Sequence, residues 1–406
     1  MKRSRYALLI ATLLWTLPFQ THATPTVTPP QVIEHYSSIA YANYSDTLSS
    51  AKVLQSTIND FLAKPNAETQ QAAKTAWLKA RHIYSQTEVF RFGNPNVDEW
   101  EGRVNAWPLD EGLIDYVKTD AYEHEDGNKF ATANIIAGTE PITAERLQSY
   151  QEKGGSEANV AIGYHAIEFL LWGQDLNDDP KQSGQRSYSD YLKDNNCTHG
   201  NCERRAEYLK TVTDLLVDDL ETMVKDWEPN QNNYRKSFTA LDESEAIRRM
   251  FFGMGSLSLG ELAGQRMNVA LIAHSQEDEH SCFSDNTHDD IRQNIQGIQN
   301  IYLGRYVKAD GTTLEGVSLA QLVNSKNASA DTELQNKLAD SLKKAEAIVK
   351  TAQDGVAFDQ QIAADATYNA QVKATIDALK NQTAAIEAAA TAVGVQNLNP
   401  EPLEAE

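Results

Sequence analysis

The sequence predicts an all-α protein made of two helical-bundle domains, with a site where the two bundles meet. Between residues 31 and 63, apolar side chains such as Val32, Ile33 and Tyr36 recur at spacings of three and four, the period of an amphipathic helix. Residues 318–395 contain no proline and are rich in alanine, lysine, glutamine and aspartate, as bundle helices are. Long alternating strand patterns and glycine-rich phosphate loops are missing from the sequence, which disfavours an all-β or a dinucleotide-binding fold.

The same spacing continues through residues 67–92, which predicts a second helix after a cap in the Pro-Asn-Ala-Glu stretch at residues 65–68. Two polar stretches, residues 175–201 and 274–290, interrupt the helical pattern. We predict an N-terminal bundle over residues 24–190 and a C-terminal bundle over residues 191–400. Antiparallel bundles bury one face of each helix, so the seam between them is free to form a site.

The composition is that of a folded, acidic protein. Of 406 residues, 57 are Asp or Glu and 36 are Lys or Arg, which gives a formal net charge of −21. Hydrophobic residues make up 41%, more than an intrinsically disordered chain carries. Because phosphate backbones attract basic surfaces, we expect no nucleic-acid partner. An acidic surface suits a protein that handles cations, although solubility is the commoner reason for one.

Residues 1–23 predict a secretory signal peptide. Lys2, Arg3 and Arg5 precede an apolar run over residues 7–17, and residues 21–23 supply the cleavage positions. The run is shorter than the roughly 20 residues that a membrane-spanning helix needs. We therefore expect a periplasmic or secreted protein. Association with the outer membrane is the alternative, but no cysteine lies near the cut to form a lipobox.

Two of the three cysteines lie close together in a polar loop. Cys197 and Cys202 flank Thr-His-Gly-Asn, and an oxidising compartment favours a disulfide between them. A metal site that includes His199 is the alternative, but the sequence offers no second pair of ligands nearby.

The most informative segment runs from residue 160 to residue 175 and is otherwise apolar. It contains His165 and Glu168, which a helix places on one face, close enough to share a metal ion or a proton. Such groups are costly in an apolar helix unless they are paired or bound to metal. A buried hydrogen bond that joins two helices explains the pair equally well. Gly163, just over one turn earlier, would allow another helix to approach closely.

Known metalloenzyme patterns do not match this segment. The HExxH zinc-peptidase motif needs Glu after His165 and a second His four residues on, where the sequence has Ala166 and Phe169. The inverse HxxEH motif fails at the same phenylalanine. The di-iron pattern requires Glu-x-x-His on two helices, and here the order is reversed without a second copy.

A second cluster of possible metal ligands occupies residues 276–290. Carboxylates and imidazoles of this kind suit hard cations, including ferric iron. A solvated acidic loop is the alternative, although Cys282 and Phe283 within the run argue against it. The acidic and histidine side chains in the run are Glu277, Asp278, Glu279, His280, Asp285, His288 and Asp289.

Two further groups are polar positions on predicted helices and loops. Glu261 and Arg266 lie on a helix rich in small residues, which predicts a tight helix contact with an ion pair. Arg81, Glu88 and Arg91 form one polar stripe, and Asp110 follows in the rigid aromatic loop of residues 105–111. Surface salt bridges explain such a stripe as well as a pocket wall does.

Three of these segments, in this order, resemble the imelysin-like family, from about residue 30 to about residue 390. They are Trp-Pro-Leu-Asp-Glu at 107–111, the family's Gly-x-His-x-x-Glu motif at 163–168, and Glu-Asp-Glu-His-Ser-Cys-Phe-Ser-Asp-Asn at 277–286. The resemblance implies two helical bundles with a site between them and a link to bacterial iron uptake. Family members include iron-regulated proteins, and some were named insulin-cleaving membrane proteases and classed as metallopeptidases.

We therefore hypothesise a periplasmic protein that binds iron or an iron-containing ligand at the domain interface, with a transport component of the inner or outer membrane as partner. The alternative is a metallopeptidase that uses His165 and Glu168 as metal ligands, with zinc as the alternative metal. A third hypothesis makes this pair purely structural. The predicted metal ligands are His165, Glu168, Asp278, Glu279, His280 and Asp285. Other predicted site residues are Gly163, Arg91, Asp110, Glu261, Arg266, Ser281 and Cys282.

Overall fold

A computed structural model describes residues 27–122, 124, 126–176 and 182–402. The predicted signal peptide lies outside the described residues. The described part is mainly helical, as predicted, and its β-structure is one antiparallel hairpin, β1 (Arg305–Val307) and β2 (Thr313–Glu315). The α-helices are α1 Pro29–Ala63, α2 Ala67–Tyr84, α3 Pro95–Val104, α4 Glu111–Ile114, α5 Ala144–Gln148, α6 Gly163–Trp172, α7 Cys202–Trp227, α8 Tyr234–Thr239, α9 Glu243–Ser256, α10 Ala270–Ala273, α11 Thr287–Leu303, α12 Leu319–Lys326, α13 Ala328–Gln353, α14 Phe358–Ile362 and α15 Asn369–Ala392.

Shorter or irregular helical segments connect these elements. A π-helix over Leu257–Val269 joins α9 to α10. π-helical segments frequently occur at functional sites. The 3-10 helices are Ser85–Phe90, Ile135–Ala137, Lys153–Gly155, Tyr188–Tyr191 and Asp194–Asn196.

The first group of packed helices is α1, α2, α6 and α7. Helix α1 packs against both α2 and α7, and α6 lies against α2 and α7. The predicted cap between α1 and α2 is confirmed, because the Asn66 side chain accepts hydrogen bonds from the backbone of Glu68 and Thr69. The apolar faces of these helices are fully buried, with Phe61, Trp77 and neighbouring aliphatic residues in the core.

The second group is built from the π-helix, α11, α13 and α15. Helix α15 packs against α13 and the π-helix, and α11 packs against α13. Leu334, Leu338, Ile376 and Leu379 are among the side chains buried here. As predicted, residues 318–395 are mainly helical.

The two groups meet along the 3-10 helix Ser85–Phe90, which packs against α11. This approach is close because α11 has a glycine at the contact. A Cβ on Gly297 would lie 2.5 Å from the backbone oxygen of Gln86, nearer than real Cβ atoms come. The 3-10 helix also corrects the prediction of one continuous helix over residues 67–92, since α2 ends at Tyr84.

Helix α7 begins at the predicted disulfide. Cys197 and Cys202 are bonded to each other, so the alternative of a metal site on these two thiols is wrong. Although α7 lies beyond residue 190, it packs against α1 and α6 of the first group. The division into two domains at residue 190 stays a prediction. In the part of the chain that is described, no helix combines the length and the apolar character needed to cross a membrane.

Candidate functional site

Helix α6 carries the Gly-x-His-x-x-Glu motif through the interior. All ten of its residues are buried. The close approach predicted at Gly163 occurs at the last residue of α3, because a Cβ at Gly163 would lie 2.6 Å from the backbone oxygen of Val104. The backbone of Gly163 has a φ of +85°, a conformation that side chains disfavour. Glycine therefore allows α6 to begin against the backbone of α3.

His165 and Glu168 form the pair that their spacing predicts. Nδ1 of His165 lies 2.8 Å from one carboxyl oxygen of Glu168. The other carboxyl oxygen accepts hydrogen bonds from the backbone N–H of Ser284, at 3.0 Å, and from its hydroxyl group, at 2.6 Å. Both oxygens of Glu168 are thus occupied within the protein, and the residue ties α6 to the loop before α11.

His280 is held in the same way by a different carboxylate. Its Nδ1 lies 3.1 Å from Oδ2 of Asp290, on the first turns of α11. The same carboxylate accepts hydrogen bonds from Ser85, at 3.1 Å, and from Ser281. The indole N–H of Trp107 donates to the backbone oxygen of Glu279, which fixes the loop immediately before His280.

The two imidazole rings are neighbours. The ring centroids of His165 and His280 are 4.8 Å apart, both side chains are almost completely buried, and neither Nε2 atom has a hydrogen-bond partner. Burial, together with Arg81 and the other imidazole, lowers the pKa of His165 well below its usual value. Burial and Arg266 likewise lower the pKa of His280. The rings are therefore neutral near pH 7, as metal ligation requires.

The carboxyl groups beside them differ in charge. Burial raises the pKa of Glu168 to about 8. Burial also favours the neutral acid at Asp290, but Arg81 and His280 hold the pKa of Asp290 well below its usual value. Asp290 is therefore the ionised group of the site.

Two buried arginines complete the surroundings. NH2 of Arg81 donates to Asp290 at 3.0 Å. Arg266 donates to Glu88 and, at 2.9 Å, to Glu261, so the ion pair predicted between Glu261 and Arg266 is present. Because each guanidinium has a carboxylate partner, neither leaves an uncompensated buried charge.

A cavity of about 510 Å³ leads to His280 from the surface of α3. Arg91, Glu261, Arg266 and Trp107 are among the residues that line it. Its wall contains six carboxylate residues against two arginines, so the cavity attracts cations. The carboxylate residues are Asp98, Glu99, Glu101, Glu152, Glu157 and Glu261.

The sequence of this chain matches a known protein family. The family model for imelysin, Peptidase M75, matches residues 40–386, which is most of the chain. The chain belongs to the imelysin family.

Other imelysin-type proteins are similar over nearly the full length. Iron-regulated protein A of Synechococcus elongatus is 22% identical over 354 residues, which cover 85% of this chain and 82% of the relative. A candidate iron-regulated protein A precursor from Parabacteroides distasonis has a similar crystal structure, with a TM-score of 0.67 and 17% identity over 93% of this chain and 98% of that one. The crystal structure of an imelysin-like protein from Psychrobacter arcticum is also similar, with a TM-score of 0.59 and 14% identity. The match covers 91% of this chain and 98% of that one. At these identities the two structures show the fold alone.

Not all predicted site residues of this imelysin lie beside His165. Asp278 and Asp285 are half-buried, and in the described structure neither hydrogen-bonds to His165 or Glu168. Burial and repulsion from Asp175 raise the pKa of Asp285 to about 8. Burial and repulsion from acidic neighbours, including Asp285 and Asp175, raise the pKa of Glu279 well above its usual value.

The remaining predicted residues have varied surroundings. Ser281 donates to Asp290 and so belongs to the site. Asp110 accepts a hydrogen bond from Asn128, in a loop outside the histidine pair. Cys282 is a buried free thiol, and burial together with nearby acidic residues raises its pKa well above the usual value.

Two partners of the histidine–carboxyl pairs, Asp290 and Ser284, are not among the residues predicted from the sequence. Asp290 was part of the acidic run but was not chosen as a site residue. A signal was present, since Asp290 and Asn294 fall on the same face of α11 as Ile291 and Ile295, and a polar residue on an apolar face needs a partner. No pattern in the sequence marks Ser284, because its contact with Glu168 is made through a loop.

The donor set offers two nitrogen ligands rather than a complete metal site. Within the described residues, no group of three or more His, Cys, Asp or Glu side chains is placed to hold a metal ion. The two unpartnered Nε2 atoms nevertheless match the usual arrangement in which a metal-bound histidine gives its other ring N–H to a carboxylate. Any further ligands would have to come from water or from a bound chelator.

Proposed function

We propose that this imelysin binds iron, or a small iron-containing ligand, through His165 and His280. The observation that carries the proposal is the pair of buried, neutral imidazoles, each with Nδ1 on a carboxyl group and Nε2 without a partner. When Nδ1 carries the proton and donates a hydrogen bond to an oxygen of the neighbouring carboxyl group, Nε2 presents its lone pair. Glu168 and Asp290 are then positioning residues, which fix the orientation and tautomer of the two rings.

The acidic cavity supports the same proposal. Six carboxylate residues against two arginines give its wall a formal charge of −4, and His280 is one of its lining residues. A volume of about 510 Å³ exceeds what a bare ion needs and accommodates a small chelate. The buried Arg81 and Arg266 disfavour a free cation next to the rings, whereas a chelator that carries negative charge relieves that repulsion.

The family supports an iron-related role. The relative from Synechococcus elongatus is named for its regulation by iron, and one of the similar structures carries the same name. We also propose that residues 1–23 are a signal peptide that directs export. The proposed partner is a transport component of the inner or outer membrane. Asp278, Glu279 and Asp285 remain proposed ligands only if the loop that carries them rearranges when the ligand binds.

Substitution of either histidine tests the proposal. In calorimetric titrations with ferrous and ferric iron, His165→Ala and His280→Ala are each expected to weaken binding by about 100-fold or more, because each removes a ligand. Glu168→Gln keeps the size of the side chain but replaces the carboxyl group that contacts Nδ1 of His165 with an amide, and we expect a loss of about 10- to 100-fold. The matched control is His288→Ala, which also removes a ring nitrogen without a partner but has no hydrogen bond or ring contact with either histidine in the described structure. Equal binding by all four variants would refute the proposed site.

The metallopeptidase alternative predicts a different result. Casein incubated with the protein and iron or zinc would be cleaved, cleavage would stop on addition of a chelator, and Glu168→Gln would abolish it. A general base needs a carboxylate oxygen near a bound water, and here both oxygens of Glu168 are already held by His165 and Ser284. We therefore expect iron to bind and casein to remain intact.

A further inference from the structure

A second cavity lies beside the disulfide and differs in charge from the cavity at His280. Its volume is about 410 Å³, and it is formed around Tyr116, Lys118, Arg186 and His199. None of the described residues that line it is acidic. Although the protein has a net charge of −21, the described residues of this wall include a lysine, an arginine and a histidine and no carboxylate. It is suited to a ligand of negative charge.

Arg186 supplies the buried charge of this cavity. Its side chain is 1% exposed, and NH1 donates to Asp115 at 2.7 Å. Asp115 is also held by two bonds from Arg205, at 2.6 and 3.0 Å, so its negative charge is shared between two guanidinium groups. The second carboxylate, Asp190, is 3.5 Å from NH1 of Arg186. Nε of Arg186 has no hydrogen-bond partner in the structure.

The positive charge of Arg186 also affects the pKa of a neighbouring lysine, Lys74. Burial and repulsion from Arg186 lower the pKa of Lys74 to about 8. The ammonium group of Lys74 lies 5.0 Å from the ring centre of Trp172, on the last turn of α6. Arg186 thus contributes repulsion at Lys74, although two aspartates contact its guanidinium group.

His199 is positioned at the mouth of the cavity. Its Nδ1 lies 2.8 Å from Asp190, and its ring stacks on Tyr116 with the centroids 4.6 Å apart. The hydroxyl group of Tyr116 donates to the same Asp190 at 2.6 Å. With Nδ1 on Asp190, Nε2 of His199 is the ring nitrogen left for a ligand. The disulfide between Cys197 and Cys202 encloses His199 in a short loop, which limits how far the ring can move.

We propose that this cavity binds a small oxyanion, either a carboxylate or a phosphate. Arg186 supplies a buried guanidinium, and Lys118 and His199 supply N–H donors nearer the surface. Charge-assisted hydrogen bonds of this type are stronger than neutral ones, and a planar guanidinium matches both kinds of oxyanion. The site is separate from the histidine pair, so the proposal does not depend on whether iron binds.

Calorimetric titration of the full chain at low salt tests this site, with citrate and inorganic phosphate as the probes. Lys118→Ala and His199→Ala are each expected to raise the dissociation constant about tenfold, because each removes a charged or polar donor. His82→Ala is the matched control. His82 is similarly exposed and has its Nδ1 3.0 Å from Asp289, but it does not line this cavity. Its dissociation constant should stay within about twofold of the unchanged protein.

The possible outcomes distinguish a carboxylate ligand from a phosphate ligand, and both from a site that binds neither. Binding of citrate alone identifies an organic carboxylate, binding of phosphate alone identifies a phosphate, and either result with the expected variant pattern supports the site. Arg186→Lys, which keeps the charge but loses the planar donor group, should weaken binding further if thermal melting shows that it folds. No heat with either anion would overturn the proposal. So would binding by the Lys118 and His199 variants that is as tight as binding by the unchanged protein, or a weakening by the His82 control as large as theirs.

Discussion

Replacing Asp290 with asparagine is expected to lower the free energy of unfolding by about 3–5 kcal/mol, the cost of breaking a buried ion pair. The carboxylate accepts hydrogen bonds from Arg81, Ser85 and Ser281, and it lies 3.1 Å from Nδ1 of His280. Arg81 and Asp290 are both completely buried. An asparagine would leave the Arg81 guanidinium without a negative partner and would place an amide N–H₂ among groups that are themselves donors. Urea unfolding followed by far-UV circular dichroism measures the change.

The neighbouring residue provides the control. Asp289 also contacts a basic side chain, that of His82, but the His82 side chain is 49% exposed. Asp289→Asn should lower the free energy of unfolding by about 1 kcal/mol or less, because exposed ion pairs contribute little to stability. A double-mutant cycle adds Arg81→Met to Asp290→Asn, and the combined loss should be smaller than the sum of the single losses. Equal, small effects at positions 289 and 290 would contradict the central place of Asp290 in this site.

The sequence predicts the local features of the site well. The spacing of His165 and Glu168 predicts a shared face, and the structure has the two side chains in contact. The small residues around Glu261 predict an ion pair with Arg266, which is also present. The first prediction succeeds because an α-helix places residues three positions apart on one face. Glu261 and Arg266 are five positions apart and lie in the π-helix, whose backbone hydrogen bonds join residues at that spacing.

The missing half of the site depends on long-range contacts. Arg81 and Asp290 are separated by 209 positions and meet only because the 3-10 helix Ser85–Phe90 packs against α11. The end of α2 at Tyr84 was not predicted either, since residues 85–90 keep the apolar spacing of a helix. Propensity and periodicity describe one segment at a time, whereas packing between segments decides both features.

The same limit explains why the acidic run of residues 276–290 was interpreted as one ligand cluster. Neighbouring side chains in a loop point in different directions, so His280 reaches Asp290 while Glu279 is turned toward other acidic residues. Only the backbone path of the loop, held by Trp107 and Ser284, separates the two environments. Composition alone marks the segment but does not show which of its side chains share an environment.

The second large effect is expected at the first residue of the motif. Gly163→Ala should lower the free energy of unfolding by about 3 kcal/mol, from a positive φ that disfavours a side chain and from overpacking against backbone. The added Cβ would lie 2.6 Å from the backbone oxygen and 2.7 Å from the backbone carbon of Val104, and neither atom belongs to a side chain that can rotate away. Helix α6 would have to shift, and His165 would move with it. Chemical denaturation measures the loss of stability.

Gly311→Ala separates the two contributions. Gly311 has a φ of +83°, almost the same as the +85° of Gly163, but nothing lies within 4 Å of where its Cβ would be. Gly311→Ala should therefore lower the free energy of unfolding by only about 1 kcal/mol, the cost of the backbone conformation. A loss at Gly163 no larger than that at Gly311 would mean that α6 moves away from α3 without strain. In that event the glycine of the motif would not be what holds α6 in register, and the position of His165 would depend on Glu168 and Ser284 instead.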